Sequence, residues 1–246
     1  MKLKLIPLLI IIVFLAAPAV TGQQSGGSSR EMSIEESYLQ DAIELMIIRE
    51  TSRTDNIDQK FIALEYISNA IERGNKSNEI RAALEFLALE GTQNRATENR
   101  RLVNDFPTVR REAARLLGVF GTEEAKTALI RICTVDREPM VLQEAIKSLG
   151  MIEAGNSDDA VNVIVWLVNR YNVGTAPDNL MALAAVDSLD KIAERNNGLT
   201  NPGALQLLIR IAEGAYTPPV RERARQALVD LRRYTAQGAR ERQQQQ

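Results

Sequence analysis

The stretch 107-PTVRREAARLLGVFG-121 decides the fold once it is slid along the chain. It lies over 139-PMVLQEAIKSLGMIE-153 at an offset of 32 residues, with Val109 on Val141, Ala113 on Ala145, Leu117 on Leu149 and Gly118 on Gly150. Forty residues further on, Met181, Ala185, Leu189 and Ile192 repeat the apolar positions, and after another 39 they become Val220, Ala224, Leu228 and Leu231. Upstream, 78-NEIRAALEFLALEG-91 is a looser copy that starts at Ile80-Arg81. Apolar side chains three and four residues apart share one face of a helix. Each copy is preceded by another such run, at 57–73, 122–134, 157–172 and 202–215. The unit is therefore two helices in 30–40 residues. Repetition at that period marks a solenoid, because a single helix pair cannot cover its own apolar face. The pattern predicts an all-α, right-handed α-solenoid of four to five stacked antiparallel helix pairs over 57–235.

The punctuation agrees. Gly, Pro and Asn clusters fall at Gly74-Asn75, Gly91, Phe106-Pro107, Gly121, Glu138-Pro139, Gly155-Asn156, 174–177, 198–202 and 217–219. Ser33 with Glu36 has capping-box spacing. Asn201-Pro202 reads as an N-cap followed by proline in the first helical turn, and Pro139 and Pro218 serve likewise. The helix of 33–53 has no counterpart in the repeat and is assigned as an N-terminal cap. The run 161-VNVIVWLVNRY-171 is apolar at every position from Val163 to Val168, which predicts a helix buried on all sides with Trp166 in the core. Cys133, in an apolar stretch, reads as a buried thiol. The tail 236-AQGARERQQQQ-246 is polar low-complexity sequence and is assigned as disordered.

The order Pro107-x-Val109-Arg110-x-x-Ala113-x-x-x-Leu117 resembles the second helix of a HEAT repeat, and Pro218-x-Val220-Arg221-x-x-Ala224-x-x-x-Leu228 matches it equally well. The resemblance, to exported bacterial HEAT-repeat proteins, covers roughly 57–234 and is sharpest at 105–153 and 202–231. Two copies depart from it: Leu180-Met181 replaces Val-Arg, and Leu142 stands where Arg would sit. The Asp–Arg ladder of such repeats is therefore expected to be patchy, with Asp105 and Arg110 as one rung and Asp136 lacking an Arg partner at 142. The resemblance implies that second helices line the binding face.

At about 100° per residue, Arg111 and Arg115 point away from the apolar arc of 107–120. Carried through the repeats, the same two positions hold Gln143 and Lys147, Leu183 and Asp187, and Glu222 and Gln226. These eight residues are the candidate partner-binding set. The row is basic, then neutral, then mixed, so it lacks the continuous basic stripe of a nucleic-acid groove. A second basic patch closes the chain, with seven Arg against three acids over 218–246.

Composition narrows the chemistry. The absence of His excludes Ser-His-Asp, Cys-His and His–zinc sites, and one Cys excludes an intrachain disulfide or a Cys-rich metal site. The adjacent acids Glu35-Glu36, Glu123-Glu124 and Asp158-Asp159 diverge by about 100° on a helix and suit N-terminal dipole positions better than a carboxylate dyad. No cofactor or metal motif is read, and the expected protein is not an enzyme. The N-terminus has Lys2 and Lys4, an apolar run from Leu5 to Val20 and small residues at 17–22, the layout of a secretory signal peptide over 1–22. A Gly/Ser linker follows at 23–32. The expected function is an exported, non-catalytic scaffold for a protein partner in the periplasm or cell envelope, with no nucleic acid and no membrane after cleavage. The alternatives are a membrane-tethered accessory subunit with an uncleaved N-terminus, and a HEAT-like lyase or repair-type enzyme.

Overall fold

The computed structural model describes residues 34–155, 157–171 and 177–244. Residues 1–33, on which the expected signal peptide, the expected linker and Ser33 of the expected capping box fall, lie outside the described residues, as do Asn156, residues 172–176, the last two glutamines and the side chains of Glu35 and Glu36. Among the described residues ten helices run in chain order: α1 Ile34–Ser52, α2 Ile57–Glu72, α3 Asn78–Leu89, α4 Pro107–Phe120, α5 Glu123–Val135, α6 Pro139–Met151, α7 Asp158–Tyr171, α8 Asn179–Arg195, α9 Pro202–Glu213 and α10 Pro218–Gln244.

Their starts follow local chemistry. The side chains of Asn56, Ser77, Thr122, Asp178 and Asn201 accept from backbone N–H groups in the following first turn, satisfying donors that the helix itself leaves open. Pro107, Pro139 and Pro202 occupy first-turn positions, where a missing N–H costs nothing. Gly121 ends α4 in the left-handed conformation, at φ 72°.

The helices form two layers. One holds α1, α3, α5, α7 and α9, and the other holds α2, α4, α6, α8 and α10; each helix packs on its neighbours within its layer and across to the other. Among the described residues this makes five pairs, and the solenoid expected from the repeat is the fold observed. Two boundaries differ from the sequence reading. The helix taken as a cap, α1, is the first member of a complete pair with α2. The stretch 78–91, aligned as a second helix through Ile80-Arg81, forms α3 and lies in the layer of first helices, so 57–72 is a second helix. Its apolar spacing suits either layer, and only counting helices backward from α4 fixes its parity.

The α3–α4 connection carries a feature with no sequence expectation, a two-stranded hairpin of β1 Thr97–Glu98 and β2 Arg101–Leu102. Asn99 and Arg100 turn it with φ of 49° and 64°, the positive-φ pair of a two-residue hairpin loop. Buried Asn104 holds its base, accepting from the Ala96 N–H and donating to the Asn94 carbonyl.

A continuous core runs from Ile48 to Ala227, and Leu117, Leu149 and Leu189 at the repeated position are fully buried. Close helix approach within the second layer depends on small residues. A Cβ on Gly118 would lie 2.7 Å from the Ser148 Cβ, and one on Gly150 would lie 2.7 Å from the Ser188 Cα. Gly118→Ala and Gly150→Ala are therefore expected to lower stability by about 1–3 kcal/mol, although alanine favours a helix. Urea denaturation followed by circular dichroism measures this, and Ser148→Gly combined with Gly118→Ala should restore much of the loss.

Three further expectations meet the structure. Cys133 is buried, and burial pushes its thiol up to about 12, which keeps it unreactive. Trp166, expected in the core, is 42% exposed and stacks against the Arg170 guanidinium. Asn162, Asn169 and Arg170 share the outer side of α7, so the helix is not apolar all round. The tail read as disordered from 236 continues α10 as helix to Gln244. Ala, Arg, Glu and Gln are good helix formers, and burial of Tyr234 and Gly238 anchors the extension.

Candidate interaction surface

The polar residues of the second layer divide into an inner spine and an outer ridge. The spine begins at Lys60 of α2, which is fully buried. Its Nζ lies 2.7 and 2.9 Å from the two carboxylate oxygens of Glu90 and donates to the Ser52 carbonyl at 3.0 Å, with the rings of Phe86 and Phe106 each 5.8 Å away. Glu90 also supplies a backbone carbonyl to Arg110 Nη1. Arg110 donates to Asp105 at 2.5 Å and to Asp136 at 2.7 Å. Burial opposes the guanidinium charge, but the hydrogen bonds to Asp136 and Asp105 outweigh it and hold the Arg110 pKa above its usual value.

Sequence reasoning found the Asp105 contact and missed the stronger one. Asp136 was assigned no arginine because position 142 holds Leu; its partner is Arg110, one repeat earlier. Each rung joins the second helix of one pair to the acid that ends the first helix of the next, Glu90 after α3 and Asp136 after α5. Lys60 occupies the Arg110 position of its own pair, four residues beyond an N-cap, but Asn56 in place of the Phe106-Pro107 start conceals the equivalence in the sequence. The spine ends at α6, where Leu142 takes the position and is buried.

The ridge holds the eight predicted residues. Consecutive packing of α4, α6, α8 and α10 brings them onto one layer, and most are engaged within the chain. Arg115 pairs with Glu112 at 2.7 Å. That hydrogen bond, with Glu144 and Glu72 nearby, raises its pKa. Gln143 donates to Asp178 at 3.3 Å, and Lys147 lies 3.6 Å from Glu144. Leu183 is half-buried against the core. Asp187 accepts from Arg223 of α10 at 2.7 Å, and Asp190 binds the same guanidinium, which ties α8 to α10. Glu222 pairs with Arg225, and Gln226 donates to Asp230 at 3.1 Å. Arg111 is exposed and makes no ion pair or hydrogen bond among the described residues. By the equivalence of Lys60 with Arg110, Phe61 is its counterpart on α2, and it too is exposed. The acid pairs Glu123-Glu124 and Asp158-Asp159 lie in the first turns of α5 and α7, where they complement the helix dipole.

Stacked helix pairs with a shared core and an outward second-layer ridge define a class, the α-solenoids. Residues 100–173, from the hairpin through α7, match the family model for HEAT repeats, which supports a HEAT-repeat family for the chain. No curated protein matches it. HEAT repeats commonly serve as protein-interaction scaffolds and are generally non-catalytic. No described helix is long and apolar enough to cross a membrane.

Proposed function

We propose that the protein is an exported, non-catalytic scaffold of the periplasm or cell envelope, which presents its second-layer ridge to an acidic surface of a protein partner. The observation that carries the reading is Arg111, an exposed guanidinium without an acid beside it on a ridge whose other charges are paired within the chain. Exposed Phe61 at the equivalent position of the adjacent helix supplies an aromatic anchor. Arginine and aromatic groups dominate interface energetics. Export rests on the Lys2/Lys4, Leu5–Val20 and small-residue layout of the N-terminus, and the mass of the mature protein tests it. Loss of residues 1–22 excludes the tethered alternative, whereas an intact N-terminus favours that alternative.

The surrounding acids dictate the binding test. Arg115→Glu would place another carboxylate beside Glu72, Glu112 and Glu144, so the appropriate double change is Arg111→Glu with Arg115→Gln. Arg115–Glu112 is a half-exposed i,i+3 pair contributing about 0.5 kcal/mol or less. Melting should therefore stay within about 2 °C of wild type. Crosslinking pull-down from the envelope fraction should lose its partner band. Full recovery of that band with the double variant excludes the ridge as the docking face.

A further inference from the structure

A stack of helix pairs has two ends, and each end layer lacks a neighbour on one side; soluble solenoids cover such layers with polar residues. Here both ends present apolar side chains. On α1, Leu45 lines a groove of about 530 Å³ toward α3, and Ile43 points about 160° away from it. On α2, exposed Ile62 and Tyr66 lie one turn apart along the side that also carries Arg73, which binds Glu44 of α1 at 2.5 Å. At the opposite end, Asn201 and Arg210 reach back to Asn162 and Asn169 of α7, while Leu205 and Ile209, one turn apart, are exposed on the far side of α9. On α10, Arg223 turns to α8, whereas Val229 is 59% exposed between Arg225 and Arg232.

The two ends are oppositely charged. The first pair, residues 34–73, carries nine acids against four bases, and the last pair, residues 202–244, carries eight bases against four acids, six of the bases remaining when Arg210 and Arg223, which face back into the stack, are set aside. Scattered surface leucines are ordinary, but apolar side chains grouped on two complementary end layers are not.

We propose that the protein self-associates head to tail, with the acidic first-pair end of one copy seated on the basic last-pair end of a second, so that the two helix layers continue from copy to copy. Such a contact is heterologous and leaves a free end on each assembly. A two-fold contact between like ends would instead set acidic against acidic or basic against basic layers. The ridge plays no part, since Arg111 lies on the surface of a layer and on neither end.

The test uses protein purified from cells expressing the full chain, in three forms: wild type, a head-blocked variant (Ile62→Glu with Tyr66→Glu) and a tail-blocked variant (Leu205→Glu with Ile209→Glu). All substituted residues are exposed, and circular dichroism verifies folding. Sedimentation equilibrium across roughly 1–100 μM spans weak specific contacts. Wild-type mass should rise with concentration and fall back as salt is raised. Each blocked variant alone should remain a monomer, while an equimolar mixture should reach the dimer and stop, because each variant keeps one competent end. Wild type that stays monomeric throughout, or either blocked variant that still dimerises alone, overturns the proposal.

Discussion

Leu117→Asp should lower stability by at least about 4 kcal/mol. Leu117 is fully buried in α4, at the repeated apolar position shared with Leu149 and Leu189. Truncating such a leucine already costs about 2–5 kcal/mol through lost transfer energy and the cavity left behind. Aspartate adds a carboxylate at a fully buried apolar position, where it either remains charged at high cost or binds a proton. In a solenoid, stability is approximately a sum of repeat and nearest-neighbour interface contributions. α4 packs on α2, α3, α5 and α6, so the damage should uncouple the first two pairs from the last three. Thermal melting at 222 nm should show an early transition followed by a later one from the C-terminal pairs. Arg111→Asp on the exposed side of the same helix should shift melting by no more than about 3 °C. Equal effects from the two substitutions would mean that the apolar arc of α4 is misassigned.

That pair of variants also marks what the sequence made legible. The repeat of Val109, Ala113 and Leu117 revealed the fold because burial in a stacked array constrains the same helical face in each copy. The constraint weakens toward the ends. Ile80-Arg81 imitates the second-helix pattern, so the first two pairs were offset by one helix. The hairpin at 97–102 interrupts the period where loop chemistry takes over. Trp166 was misplaced because an unbroken apolar run was equated with burial, although Asn162, Asn169 and Arg170 already marked a wet side. The ridge positions were found by geometry alone, but their engagement was not visible: Asp187 meets Arg223 across 36 residues and Gln143 meets Asp178 across 35. Such long-range pairs have no local spacing to betray them. Lys60 was invisible for a related reason, since a lone lysine in an amphipathic helix looks solvated until Glu90 is brought to it.

The spine supports the second large effect. Asp136→Ala should destabilise by about 3–5 kcal/mol, because it leaves Arg110 buried with its main counter-charge removed. The aspartate also accepts the N–H groups of Arg137 and Glu138 at 2.7 and 2.9 Å, so its loss frees the turn into α6. Asp105→Ala should cost under about 1 kcal/mol, since that carboxylate is 44% exposed and water screens and replaces it. The ranking separates the two contacts of one arginine: the rung read from the sequence is the weaker, and the inter-repeat rung is the stronger. Lys60 and Glu90 should behave alike, with Glu90→Leu strongly destabilising and Lys60→Met/Glu90→Leu recovering much of the loss. A buried ion pair can be replaced by apolar residues at small net cost, whereas one partner cannot be left alone. Buried Leu142, at the Arg110 position of α6, shows the same fold accepting the apolar solution. Urea midpoints for the four variants decide the matter. An Asp105→Ala loss equal to that of Asp136→Ala, or a Lys60/Glu90 double variant no better than Glu90→Leu, would show that the spine does not hold the repeats together in this way.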